Sequence, residues 1–113
     1  MEILLVVFVC SGLIFVGLSI PLIAGKIGPN PWYGFRVRRT LSDPEVWYAV
    51  NAYSARRFLV VGIVNVVGAV ALYFVPAIDI AAYGSICGVI AVVGIMIALV
   101  QSFAFLRSLK PKD

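Results

Sequence analysis

The sequence predicts an all-α integral membrane protein, a bundle of three helices, and three observations lead to that fold class. First, 63% of the 113 residues are hydrophobic and only 12% are charged, whereas about 25% of a soluble domain is charged. Second, the chain contains three long apolar runs without an acidic or basic side chain. Third, all basic residues follow either the first or the third run. We therefore expect a single membrane domain over residues 1–113.

The predicted spans cover residues 3–24, 58–76 and 81–106. A helix of about 20 apolar residues crosses the roughly 30 Å hydrocarbon core of a bilayer. Runs of this length without period-two alternation argue against the strands of a barrel. In the first run, the basic residues come after the apolar stretch rather than before it, beginning with Lys26. This polarity predicts an uncleaved membrane anchor rather than a signal peptide.

The distribution of Lys and Arg predicts the orientation. Six of these residues lie between Lys26 and Arg57, and the other three, Arg107, Lys110 and Lys112, follow the third run. Since cytoplasmic loops are enriched in Lys and Arg, the N-terminus is expected outside a bacterial cell membrane and the C-terminus in the cytoplasm. The same cations are expected to attract anionic lipid headgroups. Aromatic residues are expected at both membrane interfaces: Tyr73 and Tyr83 outside, and Trp32, Tyr33, Phe35, Trp47, Tyr48 and Tyr53 inside.

Small residues predict how the spans pack, because they allow close approach of helix backbones in lipid. The third span carries a face of such residues, and the second span carries a shorter one: Gly84, Gly88, Ala91, Ala98 and Ser102, and Gly62, Asn65 and Ala69. The longer face can pack within the monomer or form the seam of a homo-oligomer. Packing within the monomer is favoured because three helices need such a face. Asn65 is expected to form a hydrogen bond between helices.

Several classes of function are disfavoured. The chain has no histidine, and its two cysteines are far apart, so neither a metal site nor a cofactor is predicted. No ionisable residue lies within a predicted span, which argues against a proton-coupled transporter or pump. Near the polar segment, Asp43, Glu45 and some hydroxyls are available for catalysis, but the two acids are more simply explained by the first turn of a helix. A non-enzymatic protein that does not bind nucleic acid directly is therefore predicted.

Residues 26–57, called the central segment below, are predicted to form an ordered element on the cytoplasmic side. Pro29 and Pro31 around Asn30 end the first helix in a turn, and Gly34 is a further turn position. Ser42 and Glu45 have the spacing of a capping box at the start of a short helix, which can continue into the second span. Trp47 and Asn51, four residues apart, are expected to project together, with Asn51 tying the loop backbone to the helix.

Arg36 and Arg39 lie among turn-forming and aromatic residues, so topology alone explains them less well than the other basic residues. The guanidinium group offers two donors in a fixed geometry that suits a carboxylate or a phosphate. Candidate partners are Asp43, Glu45, a lipid headgroup or another protein. Two roles stay open for this region, the binding of a partner and the ordering of the loop.

These residues resemble the signature of the SdpI family of small bacterial membrane proteins. The similarity rests on an ordered set of positions between two spans: Pro29, Asn30, Gly34, Phe35, Arg36, Thr40, Leu41, Ser42, Glu45, Trp47 and Asn51. Family members often have Thr-Pro where this chain has Val37-Arg38, and a Gly where it has Ala55. The best-known member is longer, with additional spans before the signature.

The resemblance implies an SdpI-type immunity protein that gives resistance to a secreted, membrane-active peptide toxin. It also implies a second activity, signal transduction, in which the cytoplasmic loop holds a transcriptional repressor at the cell membrane. The expected partners are therefore the lipid bilayer, a peptide toxin and a cytoplasmic repressor.

Overall fold

The computed structural model describes residues 1–109, and the part of the chain that it describes is helical without strands. Three long helices, α1 (Glu2–Ile23), α3 (Pro44–Tyr73) and α4 (Ile80–Ser108), are joined by turns and by one short helix, α2 (Arg38–Ser42). Each long helix is long and apolar enough to cross a membrane. The predicted fold class is confirmed. Two of the basic residues used to predict the orientation, Lys110 and Lys112, lie outside the described residues.

The helix that contains most of the second predicted span begins within the central segment, so the short helix predicted there continues into the span. α3 is one continuous helix of 30 residues that starts within the central segment at Pro44 and ends at Tyr73. The helix is longer than the hydrocarbon core of a bilayer requires. Its first turns, which belong to the central segment, therefore extend beyond the core at one end of the bundle. We call this end, which also holds Arg107 of α4, the basic end.

α3 is the centre of the bundle, and both α1 and α4 pack chiefly against it. α1 crosses α3 where Gly12 meets Gly62. A Cβ atom built on Gly62 would lie only 2.6 Å from the Gly12 carbonyl oxygen, and one built on Gly12 would lie 2.7 Å from the Gly62 carbonyl oxygen. The two backbones are therefore in direct contact, which only glycine permits at these positions. Gly12 was missed in the sequence, although Gly12 and Ser19, seven residues apart, are the buried residues of α1.

α4 packs on α3 through two kinds of contact. Ala98 and Ser102 are buried in this interface, and a Cβ atom on Gly94 would touch Val61 at 3.4 Å. Near the other end, the Tyr83 hydroxyl donates a hydrogen bond of 2.8 Å to the Ala69 carbonyl. Tyr83 is fully buried there, so its side chain packs within the bundle rather than on the outer surface of the helices. The hydroxyl finds its partner inside the bundle instead of at the membrane surface.

The predicted small-residue face of α4 does not act as one continuous seam. Gly84 faces α1, where an added Cβ atom would lie 3.3 Å from Leu4, whereas Gly88 has no atom within 4 Å of that position. Ala91 is half-buried, and Ala98 is buried. The closest contact between spans is thus made at Gly12 and Gly62, where backbones meet, while Gly84 and Gly94 approach only side chains and Gly88 approaches no neighbour.

Asn65 is buried in α3, and its Oδ1 atom has no hydrogen-bond partner among residues 1–109. The expected hydrogen bond between helices is therefore not formed by this oxygen. A buried acceptor without a donor is unfavourable, and the cost disappears when the polar group itself is removed.

We therefore expect Asn65→Leu to leave the free energy of unfolding unchanged or to raise it by about 1 kcal/mol. Unfolding in mixed micelles of increasing denaturing detergent measures this change, with Asn65→Asp as the comparison that keeps a polar group in place. A loss of more than about 1 kcal/mol in Asn65→Leu would mean that Asn65 forms a stabilising contact in the folded protein.

Candidate functional site

The central segment begins with a turn built by Asn30. The Asn30 Oδ1 atom accepts hydrogen bonds from the backbone nitrogens of Trp32 and Tyr33 at 2.8 and 2.9 Å, and its Nδ2 atom donates to the Gly28 carbonyl at 2.8 Å. The side chain thus replaces backbone partners that a turn lacks. The chain leaves α1 in this turn and folds back toward α3.

Gly34 lies where the returning chain passes closest to α3. Its φ angle is +118°, a conformation that side chains disfavour. A Cβ atom at this position would also lie 2.7 Å from the Asn51 Oδ1 atom and 3.0 Å from the Trp47 ring. The glycine is therefore required twice, by the backbone conformation and by the close approach to two side chains of α3.

Asn51 fixes the chain immediately after Gly34. Its Oδ1 atom accepts a hydrogen bond of 2.6 Å from the Phe35 backbone nitrogen, and its Nδ2 atom donates to the carbonyls of Phe35 at 3.4 Å and Trp47 at 3.0 Å. Asn51 is only 1% exposed. Because the oxygen and the nitrogen of this buried amide are both hydrogen-bonded, Asn51 stabilises this loop conformation relative to others.

Trp47 anchors the start of the segment to the same helix. Its indole nitrogen donates a hydrogen bond of 2.9 Å to the Ile27 carbonyl, and the side chain is fully buried. The ring contributes to the packed interior at the basic end. Trp47 and Asn51 together hold the segment at two points, Ile27 and Phe35.

Thr40 completes the turn between Phe35 and α2. Its buried hydroxyl accepts a hydrogen bond of 3.0 Å from the Val37 nitrogen and lies 2.8 Å from the Phe35 carbonyl, to which it can donate. The backbone nitrogen of Phe35 thus donates to Asn51, and its carbonyl accepts from both Asn51 and Thr40. Its ring packs edge-on against Phe103 of α4, with 4.9 Å between centroids.

The start of α3 differs from the predicted capping box of Ser42 and Glu45. Asp43 is the N-cap residue, and its side chain accepts a hydrogen bond of 3.0 Å from the Glu45 nitrogen. Ser42 instead ends α2, and its hydroxyl donates to the Arg39 carbonyl at 3.2 Å. Asp43 is the better N-cap here because Pro44 then occupies the first helical position, which needs no N–H.

The guanidinium groups of Arg36 and Arg39 donate hydrogen bonds to backbone carbonyls, and a carboxylate or phosphate partner for them stays a prediction. The Arg36 guanidinium donates to the Pro31 carbonyl. Arg39 reaches the end of α4, where its Nη1 atom donates to the Leu106 carbonyl at 2.6 Å and its Nη2 atom to the Leu109 carbonyl. Carbonyls at a helix C-terminus lack partners within the helix and carry partial negative charge, so a forked cation satisfies them well.

We expect Arg39→Met to loosen the last turn of α4, because the methionine keeps an apolar stem but removes both donors. Amide hydrogen exchange over residues 106–109 should accelerate about fivefold, as the loss of roughly 1 kcal/mol in a half-exposed site implies. The neighbouring exposed residue Arg38 provides the control, since Arg38→Met should leave these amides unchanged. Equal exchange in Arg39→Met and the unaltered chain would show that the hydrogen bonds contribute nothing to this turn.

The outer face of the central segment combines exposed aromatic, aliphatic and cationic side chains. Trp32 is 84% exposed, and the other members of this face are also exposed: Arg36, Arg38, Leu41 and Tyr48. Among the described residues, no group of three or more His, Cys, Asp or Glu side chains could hold a metal ion. The buried polar groups fix the backbone of the segment, and the exposed groups are of the kind that contact a membrane surface or a protein.

Comparison with known families identifies the group to which this architecture belongs. The model of the SdpI/YfhL protein family matches residues 26–103, which comprise the central segment, all of α3 and most of α4. No curated protein and no solved structure matches the chain significantly. Because the family match covers more than half of the sequence and includes the ordered turn, the Asn51 anchor and two membrane-spanning helices, the chain is a multi-pass membrane protein of the SdpI/YfhL family.

Proposed function

We propose that the protein is a non-enzymatic immunity protein that gives a bacterial cell resistance to a membrane-active peptide toxin. The observation that carries this proposal is the family match over residues 26–103, which begins at the central segment and continues through α3 and most of α4. The proposed action takes place in the membrane, where such a toxin acts, and it includes no catalytic step.

The proposal includes an orientation with the basic end in the cytoplasm. Lys26, Arg56, Arg57 and Arg107 join the arginines of the central segment at this end, and no basic residue lies in the connection between α3 and α4. Lys and Arg near the end of a span favour an orientation in which that end stays on the cytoplasmic side. In this orientation the cations also face anionic lipid headgroups.

The proposal is tested by killing curves with membrane-active peptides, including those made by the source organism. Cells that lack the protein should die at lower peptide concentrations than cells that express it. Gly34→Ala should abolish protection, because the added methyl group would lie 2.7 Å from the Asn51 side chain. Gly17→Ala, at a site with no atom within 4 Å, is the matched control that should protect fully. Identical killing curves with and without the protein across the panel would refute the proposed role.

A second candidate function is signal transduction, in which the central segment holds a soluble transcriptional repressor. The exposed residues of the outer face, which include Trp32, Tyr48 and two arginines, favour this alternative, because aromatic residues and Arg are enriched at protein interfaces. Trp32→Ala combined with Arg38→Ala should then release the repressor from isolated membranes while leaving the fold intact. If membranes with the unaltered protein retain no repressor, signal transduction by this face is excluded.

A further inference from the structure

A cavity of about 240 Å³ lies between the three long helices, directly beneath the central segment. Gly34 and Phe35 form its wall at the basic end, while Leu18 of α1 and Leu99 of α4 border it on the sides. Both leucines are also partly exposed on the outside of the bundle. The cavity is therefore open between α1 and α4, where lipid surrounds a multi-pass protein.

The polar side chains of the lining lie toward the basic end of the cavity, beside apolar ones. Asn51 and Ser54 line this part together with Leu22 and Phe35, whereas Phe58 of α3 and Phe15 of α1 line the deeper part and stack with 5.8 Å between ring centroids. Asn51 and Phe58 are seven residues apart on one helix, so the cavity extends about 10 Å along the bundle. This order of polarity matches an amphiphile whose head lies at the membrane interface and whose chain points into the bilayer.

The hydrogen bonds of the lining leave one hydroxyl for such a head. The Asn51 amide is used by Phe35 and Trp47, and the Ser19 hydroxyl donates to the Phe15 carbonyl at 2.5 Å. Ser54 is 4% exposed and lines the cavity, and its hydroxyl forms no hydrogen bond to any of residues 1–109. Among those residues the buried side-chain atom that lacks a partner is Asn65 Oδ1, so the Ser54 hydroxyl is open to the cavity and can donate to and accept from a ligand there.

The lining and the volume restrict the chemistry of the ligand. No charged side chain is present among the residues that line the cavity, and moving a charged head into an uncharged, largely apolar site is strongly unfavourable. An apolar cavity of about 150 Å³ already admits benzene. We propose that this cavity binds a neutral amphiphile, an alkyl chain with a small uncharged hydroxyl head, with the hydroxyl at Ser54 and the chain along Phe15 and Phe58.

This site contains the residues that order the central segment. Gly34, Phe35 and Asn51 line the cavity on one side and hold the loop on the other. A bound amphiphile therefore stabilises the loop conformation described above. The central segment would then bind a ligand on its inner side, in addition to the contacts that its outer face can make.

Photolabelling of the full chain in lipid nanodiscs tests the site. The probe is 1-decanol with a diazirine on its alkyl chain, and labelled residues are identified by mass spectrometry. Labels should concentrate on residues 15–22 of α1 and 54–58 of α3. The extent of labelling should saturate as the probe concentration rises. Unlabelled 1-decanol should compete, whereas decyl sulfate, which has the same chain and a permanent charge, should not.

Two variants of Ser54 distinguish the site from general partitioning into the bilayer. Ser54→Ala should raise the half-saturating probe concentration about fivefold, the effect of one hydrogen bond, and Ser54→Leu should abolish labelling by filling the cavity. Ser102→Ala is the matched control, because this buried hydroxyl donates to the Ala98 carbonyl and does not line the cavity. Labelling that does not saturate, that spreads equally over exposed residues of α4 such as Val92 and Val93, or that is unchanged in both Ser54 variants would overturn the proposal.

Discussion

Replacing Asn51 with leucine will release residues 26–43 of the central segment from α3 and make them accessible to protease. The substitution removes the acceptor of the Phe35 backbone nitrogen and the donor to the Trp47 carbonyl, both of them buried contacts. Each buried group left without a partner costs about 1–3 kcal/mol. Limited trypsin digestion at Arg36 and Arg38, which are exposed but held in an ordered loop, should accelerate roughly 5- to 100-fold.

Two further variants show whether the hydrogen bonds or only the volume of Asn51 matter. Asn51→Asp keeps the acceptor for Phe35 but loses the donor, so its digestion rate should fall between those of the unaltered chain and Asn51→Leu. Asn65→Leu replaces the other asparagine of α3, whose Oδ1 atom is unpartnered, and should leave digestion unchanged. If Asn51→Leu is digested no faster than Asn65→Leu, the Asn51 contacts do not hold the loop.

Substitution of Gly62 by alanine will force α1 away from α3. The new methyl group would lie 2.6 Å from the Gly12 carbonyl oxygen, and a backbone atom cannot rotate out of the way as a side chain can. Overpacking of this kind costs about 1–3 kcal/mol. Unfolding in mixed micelles should show this loss, and a cysteine pair introduced across the α1–α3 interface should cross-link more slowly.

The matched control for Gly62→Ala is Gly88→Ala, since no atom outside the local backbone of α4 lies within 4 Å of a Cβ at that position. Alanine also favours a helix over glycine, so Gly88→Ala should be neutral or slightly stabilising. Equal losses in both variants would point to a general effect of glycine replacement. A neutral Gly62→Ala would mean that the two helices are farther apart than the Gly12–Gly62 contact requires.

The three spans could be predicted from the sequence because their signal is local. A run of about 20 apolar residues without period-two alternation forms a helix in lipid, because a helix satisfies every backbone polar group within the segment. The start of α3 was harder to predict, because Ser42 and Asp43 are both good N-cap residues. Pro44 decides between them, and its preference for the first helical position identifies Asp43.

The candidate site was less predictable because its contacts join distant parts of the chain. The spacing of Trp47 and Asn51 indicated that they act together, but their partners, Ile27 and Phe35, lie many residues earlier. Arg39 bonds the end of α4, about 70 residues later, and a local search for acidic partners could not find it. Gly12 was missed for the same reason, since its importance depends on the crossing of α1 with Gly62.

The contact of Arg39 with the end of α4 has a consequence for the order of assembly. The central segment emerges from the ribosome long before Leu106 and Leu109, so the guanidinium group has no carbonyl partners while the first two spans insert. Residues 26–43 can fold against Trp47 and Asn51 at that stage, but Arg39 acquires its carbonyl partners only when the third span has been inserted. The hydrogen bonds of Arg39 therefore form after those of Trp47 and Asn51, and they couple the folding of the loop to the insertion of α4.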